Sequence, residues 1–340
     1  MLPNFVRTND MLRRSPLVSV VAPFYNEGQG VRLFYQSISK VIDALTDVRF
    51  EIVCVDDGSR DDTLDCLRAL VAKDARFRVI ELSRNFGKEA ALTAGIDAAR
   101  GDAVIPIDAD LQDPPELIGE MIATWQAGAD VVLARRSDRN VDSVLKRMTA
   151  AGFYRLHNLM SSVQIPDNVG DFRLMNRSAV DALKRMPEQQ RFMKGLFAWI
   201  GFRTKVVNYT RRQRAAGGTK FSGWKLWNFA LEGITSFSTA PLRVWTYVGL
   251  GLALLTMLYA TFIIARVLIS GVDVPGYASL LVAILFLGSL QLISVGLLGE
   301  YIGRIYLESK QRPPYIVRGA YERNEVTEQQ QQPLLPIGRF

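Results

Sequence analysis

From residue 17 onward the chain alternates two kinds of segment. Short, nearly unbroken apolar runs, LVSVVAPFY, FEIVCVDD, FRVIELS, DAVIPIDAD and DVVLARR, read as strands buried on both faces. Between them, VRLFYQSISKVIDAL, DDTLDCLRALVAKD, KEAALTAGIDAAR and PELIGEMIATWQAG carry apolar residues at helical spacing. Strands separated by helices of about ten or more residues are joined by crossovers, so the order predicts an α/β domain, a parallel sheet with helices on both faces. After Arg136 the alternation loosens into helices, a VGDFRLMNRSAV segment and one further strand, RTKVVNYT.

Two later runs break this pattern. VWTYVGLGLALLTMLYATFIIA, Val244 to Ala265, has no charge and lies between Arg243 and Arg266, and YASLLVAILFLGSLQLISVGLLG, Tyr277 to Gly299, stops at Glu300. Each exceeds the roughly 20 residues that cross a bilayer core and is apolar on every face, as buried soluble helices seldom are. They predict two transmembrane helices, about 244–266 and 277–300, joined through RVLISGVDVPG into a hairpin with both ends on one side. Arg211, Arg212, Arg214, Lys220 and Lys225 precede the pair and Arg304, Lys310, Arg312 and Arg318 follow it, while the loop holds little beyond Arg266 and Asp273. The positive-inside rule then puts both termini in the cytoplasm of a multi-pass inner-membrane protein.

The flanks complete the organisation. In GWKLWNFALEGITSFS, Trp224, Trp227, Leu231 and Ile234 recur at helical spacing, which suits an interfacial helix, with an ordinary core helix as the alternative. The N-terminal MLPNFVRTNDMLRRS has no continuous apolar stretch, so no cleaved signal is expected, and the Gln/Pro-rich tail VTEQQQQPLLPIGRF is expected to be disordered. The expected division is an N-terminal extension over 1–16, the α/β domain over 17–215, juxtamembrane interfacial helices over 216–243, the two spans within 244–303 and a cytoplasmic tail over 304–340.

Charge and composition narrow the partners. Across 340 residues, 41 Lys and Arg against 34 Asp and Glu give a net charge of +7. The basic residues cluster beside the apolar runs and form no aromatic-interleaved strip, so they suit anionic lipid heads or phosphorylated substrates and not nucleic acid. Cys54 lies in an apolar strand and Cys66 on a helix with neither CxxC nor His nearby, which reads as reduced packing residues. His157, the only histidine, has no metal partner near it in the sequence and reads as structural.

Ligands of doubly wound sheets bind at the carboxyl ends of the strands. The polar clusters fall there: PFYNE, DDGSRDDT, SRNFGKE and DADLQD after the first four strands. The first of these turns has neither GxGxxG nor GxxxxGK[ST], which excludes the dinucleotide fingerprint and the P-loop. At the fourth tip Asp108, Asp110 and Asp113 crowd together before Pro114-Pro115. A plain helix start would use the prolines in its first turn, Glu116 at its positive end and Asp113 as its cap. A metal site would use Asp108 and Asp110, placed on one side by strand alternation, with Gln112 as a neutral oxygen, a donor set for a hard divalent cation. Asp56 and Asp57 end the second strand, and an Asp-Gly turn before an acidic helix start already accounts for Asp61, Asp62 and part of the case for Asp57.

SVVAPFYNE, VCVDDGSRDDT, SRNFGKEAALTAG, IDADLQDPPE, VGDFRLMNR and GEYIGRIYLESKQRPPY, in that order over about residues 17 to 318, resemble family 2 glycosyltransferases of the GT-A fold that act on polyprenyl phosphates. Bactoprenol glucosyltransferases are the nearest in pattern, and dolichol-phosphate mannose synthase is more distant. The resemblance implies a GT-A, mostly parallel sheet ahead of the interfacial helices and hairpin. It implies that Asp110 and Gln112 touch Mg2+ or Mn2+, that Asp108 serves the ribose or the metal shell, and that Asp57 pairs with the uracil imide. Pro23, Tyr25 and Glu27 line the nucleoside, and Lys88 either faces the nucleotide or is a surface helix lysine. Asp171 matches the position that orients or deprotonates the acceptor, so Asp171 and Asp110 are the catalytic candidates. Arg211, Arg214 and Lys220 in RRQRAAGGTK match a basic segment for the acceptor phosphate or diphosphate, its paired glycines free to close over a phosphate, with Arg135 a weaker candidate and Arg212 explained by lipid heads alone.

The expected activity is inverting transfer of a hexose, glucose from UDP-glucose, onto polyprenyl (undecaprenyl) phosphate at the cytoplasmic membrane face. The alternatives are another donor (UDP-N-acetylhexosamine, UDP-aminoarabinose or GDP-mannose) or a non-catalytic membrane partner of lipid-sugar transport, free to lose acids that this chain keeps. A processive polysaccharide synthase shares the first half but carries QxxRW, where this chain has EQQRFMKG. A homo-oligomer is left open.

Overall fold

The computed structural model describes residues 15–137, 169–186, 188, 191, 193–210, 240–270 and 276–323. The chain divides into two compact units, one of Met1–Tyr154, Ile165–Ser222 and Pro313–Phe340, the other of Arg155–Gln164 and Gly223–Arg312. The first unit runs β1 (Leu17–Phe24), α1 (Gly28–Asp43), β2 (Arg49–Asp56), α2 (Thr63–Lys73), β3 (Phe77–Leu82), α3 (Lys88–Ala98), β4 (Ala103–Pro106), α4 (Leu117–Gln126) and β5 (Val131–Arg136). It continues with β6 (Val169–Asn176), α5 (Arg177–Lys184), α6 (Met193–Trp199) and β7 (Thr204–Tyr209).

These strands, with one more from the C-terminal part, form a sheet of order β7-β5-β6-β4-β1-β2-β3 plus the added strand at the β3 edge. β1 to β4 are mutually parallel and β5 is parallel to β7, as apolar strands joined by helical crossovers require. The sheet is mixed and not wholly parallel, because β6 runs antiparallel between β4 and β5. Helix α1 buries Val31, Phe34, Ile38 and Ile42 on one side, and Phe34 meets Phe24 edge-on at 5.2 Å between ring centres. On α3 a side chain at Gly95 would come within 2.3 Å of Val21, so the glycine lets that helix lie close on β1 and carries Lys88 at its first turn to the strand tips.

The tail departs from expectation. Instead of remaining outside the domain, Val317–Tyr321 forms β8, antiparallel to β3. The Tyr321 hydroxyl donates to Glu81 at 2.7 Å, Arg318 pairs with Glu81 at 3.3 Å, Arg100 pairs with Glu322 at 2.8 Å and the Tyr315 hydroxyl donates to Asp97 at 2.9 Å. β8 covers the edge that β3 would otherwise leave open.

In the second unit α7 (Ala240–Ser270) and α8 (Tyr277–Ser309) are helices of 31 and 33 residues that contain both apolar runs. Among the described residues one stretch, Phe286–Ser309, is long and apolar enough to cross a membrane. The interfacial stripe at Trp224, Trp227, Leu231 and Ile234 lies outside the described residues, as does His157.

Candidate active site

Parallel pairing of β1 to β4 puts their carboxyl ends on one edge, and the loops that follow are bound to one another. After β1, the Asn26 amide donates to Ser59 Oγ at 3.0 Å and the Glu27 amide to Thr63 Oγ1 at 2.9 Å, while Asn26 Oδ1 accepts from the Arg60 amide at 2.9 Å. Glu27 also opens α1 through its carbonyl, which accepts from Gly30 at 2.8 Å. Pro23 is half-buried at the end of β1 and Tyr25 is exposed beside it.

Asp57, 3% exposed, accepts from the Phe86 amide at 2.7 Å on one carboxylate oxygen and from the Gly87 amide at 2.9 Å on the other. Burial pushes its pKa up and the two amide bonds act against that rise. The turn needs glycine on both sides: Gly58 has φ +64° with the Arg84 carbonyl carbon 2.4 Å from where a Cβ would sit, and Gly87 has φ +100°. Asp57 is thus the brace of the loop that launches α3. Its neighbour Asp56 accepts from the Ser59 amide at 3.2 Å, while its other oxygen is buried with no hydrogen-bond partner among the described residues. Burial likewise raises its pKa.

Lys88 joins two elements that are far apart in sequence. Its ammonium lies 2.7 and 2.9 Å from the two oxygens of Asp108 and 2.8 Å from Asp171 on β6. Burial works against the charge on Lys88, but Asp171 and Asp108 outweigh it and leave its pKa above the usual lysine range. Burial pushes the Asp108 carboxyl up against the pull of Lys88.

The fourth tip is a turn and not a strand continuation. β4 stops at Pro106, the Leu111 amide donates back to the Asp108 carbonyl at 3.4 Å, and Leu111 has φ 55°. Strand alternation therefore does not set the relation of Asp108 to Asp110, and the turn does; the Gln112 amide donates to Asp110 Oδ1 at 3.2 Å. No group of three His, Cys, Asp or Glu side chains gathers to hold a metal among the described residues.

Asp113 is not the helix cap. Helix α4 begins at Leu117 with Glu116 before it and no side-chain cap, and the buried Asp113 carboxylate instead accepts from the hydroxyl of Tyr209 at the end of β7. Arg136 Nη2 lies 3.8 Å from the same carboxylate and Arg136 Nε donates to the Tyr209 hydroxyl at 3.1 Å. Arg135, by contrast, is exposed and donates to Asn208 at 3.0 Å, so the arginine directed at the acid loop is Arg136. Arg136 and Tyr209 escaped the sequence reading, although the opposite pointing of adjacent strand residues marks one of Arg135 and Arg136 as inward. Arg211, Arg212, Arg214 and Lys220 lie outside the described residues.

Comparison with known proteins matches this architecture in order. Residues 19–184 match the glycosyl transferase family 2 model and residues 240–305 match the GtrB C-terminal hairpin. The chain is 55% identical over 301 residues to a bactoprenol glucosyl transferase of Shigella phage SfV, covering 88% of this chain and 98% of that one. It is 53% identical over 301 residues to a prophage bactoprenol glucosyl transferase homolog of Escherichia coli (strain K12), with the same coverage. An uncharacterized glycosyltransferase of Synechocystis is 52% identical over 300 residues, 88% of this chain and 94% of the relative. The similarity thus extends over nearly the whole length, and the chain belongs to glycosyl transferase family 2.

Proposed function

We propose that this protein transfers glucose from UDP-glucose to a polyprenyl phosphate, undecaprenyl phosphate in bacteria, at the cytoplasmic face of the membrane. The observation that carries the reading is the junction at Lys88, where one ammonium within 2.9 Å of both acids draws Asp108 and Asp171 to a common point beside the strand tips. The similarity to the bactoprenol glucosyl transferase of Shigella phage SfV supports the choice of sugar and lipid.

The acceptor phosphate oxygen attacks the anomeric carbon, and the bond from that carbon to the diphosphate oxygen breaks with its electron pair leaving on UDP. One displacement inverts the carbon and needs no glycosyl-enzyme intermediate. The phosphate is already ionised near neutral pH, so Asp171 serves mainly to orient the acceptor phosphate or the sugar. Lys88 offsets both acids and can turn toward a donor phosphate oxygen. Asp57, Pro23, Tyr25 and Glu27 frame the nucleoside, with Asp57 acting at least through the Phe86-Gly87 turn it holds. Arg211, Arg214 and Lys220 are assigned to the acceptor phosphate or the diphosphate.

The donor set at the fourth tip fits Mg2+ or Mn2+. Asp108, Asp110 and Gln112 offer only oxygen, and two carboxylates with one neutral oxygen leave positions for substrate phosphates, the usual way such a cation is shared with a nucleotide. When bound, it neutralises charge on the departing diphosphate. We assign α7 and α8 as two membrane spans with both outer ends in the cytoplasm.

The test is to incubate detergent-solubilised protein with polyprenyl phosphate, Mg2+ or Mn2+ and a panel of nucleotide sugars, and to weigh the lipid product. A hexosyl phosphate lipid formed from UDP-glucose is expected. Product from UDP-N-acetylhexosamine, UDP-aminoarabinose or GDP-mannose alone would change the donor, and no product from any would favour the non-catalytic role.

A further inference from the structure

We infer that Tyr209 is a positioning residue for the reaction, holding the acid loop Asp108–Gln112 and the β6 strand that carries Asp171 in fixed relation through two parts of one side chain. The inference rests on the proposed function.

In the sheet order β7 is an edge strand, separated from β4 by β5 and β6. Tyr209, at its carboxyl end, nevertheless reaches the loop that follows β4. Its hydroxyl donates to Asp113, the residue that closes the acid loop, and accepts from Arg136 Nε at 3.1 Å. Its ring meets Phe172 edge-on, with centroids 6.4 Å apart and planes at 90°. Phe172 directly follows Asp171. One side chain therefore touches the immediate neighbour of each proposed functional element.

Packing alone does not call for this chemistry. Tyr209 lies in a cluster with Ala134, Phe172 and Val207, where Phe would fill the same space. The chain instead buries a hydroxyl and a carboxylate that is 4% exposed and sets a half-buried guanidinium against them, groups whose desolvation stabilises nothing by itself. What such a network adds is a fixed geometry: hydrogen bonds with defined directions tie the loop, β5 and β7 to one another. Lys88 bridges the same two elements from the solvent side, but it is a flexible ammonium that substrate can draw away, whereas the Tyr209 contacts are internal.

The test uses the full chain in detergent. Tyr209→Phe keeps the ring on Phe172 and removes the hydroxyl, so the buried Asp113 loses its hydrogen bond and keeps only Arg136 at 3.8 Å. Turnover is expected to fall about 10- to 100-fold, the range for one hydrogen bond to a charged group. Amides of residues 107–113 should exchange faster with deuterium, and UDP with Mn2+ should bind more weakly by calorimetry. Asp113→Asn, which keeps an oxygen for the Tyr209 hydroxyl, should retain most turnover, whereas Asp113→Ala should behave like Tyr209→Phe. The double variant Tyr209→Phe/Asp113→Ala should be no worse than either single one. Exchange and UDP binding do not depend on which sugar or lipid is used, so they judge this inference even if the proposed substrates are wrong. Turnover and loop exchange unchanged in Tyr209→Phe, or losses in Asp113→Asn as large as in Asp113→Ala, would overturn it. If Tyr209→Phe does not fold, the two Asp113 variants decide.

Discussion

Replacing Asp57 by Asn separates two roles that one carboxylate can play. Asp57 takes one backbone amide on each oxygen, Phe86 at 2.7 Å and Gly87 at 2.9 Å, in a site almost closed to water. Asn has one oxygen, and its amide group must turn toward one of the two backbone N–H donors. The variant therefore loses one charge-assisted bond and leaves a buried N–H facing another donor, which costs about 1.5–3 kcal/mol. Part is returned because burial disfavours the charged form of Asp57 and pushes its pKa up, and Asn removes that charge. The net expectation is a loss of about 1–3 kcal/mol, or an apparent melting temperature lower by about 2–10 °C for a unit of this size. Because the same turn launches Lys88, kcat/KM for UDP-glucose should fall with it.

The discriminating measurement is a thermal melt of Asp57→Asn beside UDP binding. A residue that only reads the nucleobase would give weaker UDP binding with unchanged or increased stability, since a buried charge has been removed. Unchanged or raised melting with weakened UDP binding would refute the brace argument. Lower melting in the absence of any nucleotide would uphold it.

Three further outcomes are expected. Asp110→Ala should abolish transfer while leaving the melting temperature nearly intact, because Asp110 sits on a turn at the sheet's open edge; full activity in excess chelator, or in the variant, would remove the metal role. Asp74 is bound by Arg76 through bonds of 3.0 and 2.7 Å, which hold its carboxyl below the usual range, so this stability is present above the unfolded pKa and lost as pH falls through the folded one. Asp74→Asn should therefore melt lower than the parent at pH 7, by about 1 kcal/mol, and converge with it as pH falls below the lowered folded-state pKa of Asp74. In intact cells an impermeant thiol reagent should label Ser270→Cys and spare Ser309→Cys, and the reverse pattern would overturn the proposed topology.

How much of this was legible in the sequence depends on how local each cause is. The first five strands and four helices lie within a few residues of where periodicity puts them, because burial on both faces writes itself into nearly every position of β1 to β4. The convergence of four polar loops followed from parallel order alone. Asp113 was misread because capping is a local rule, whereas the Tyr209 hydroxyl that claims it lies 96 residues away. Arg136 was passed over because adjacent strand residues point oppositely and sequence does not give the phase. The turn at Asp108–Leu111 was missed because DADLQ continues an apolar run without glycine, and Leu111 takes a positive φ that its residue type does not announce. β8 is short and alternately half-buried and exposed, so only the edge of β3 and the charges at Glu81 and Arg100 identify it as a strand.

β8 also changes the basis of the topology argument. The count of basic residues that orients the hairpin included Arg318, yet Arg318 pairs with Glu81 on β3 and is part of the domain rather than a free flank. Without it the proposed orientation rests on Arg211, Arg212, Arg214, Lys220 and Lys225 before the hairpin and on Arg304, Lys310 and Arg312 after it, against Arg266 in the loop, so the positive-inside argument keeps its sign.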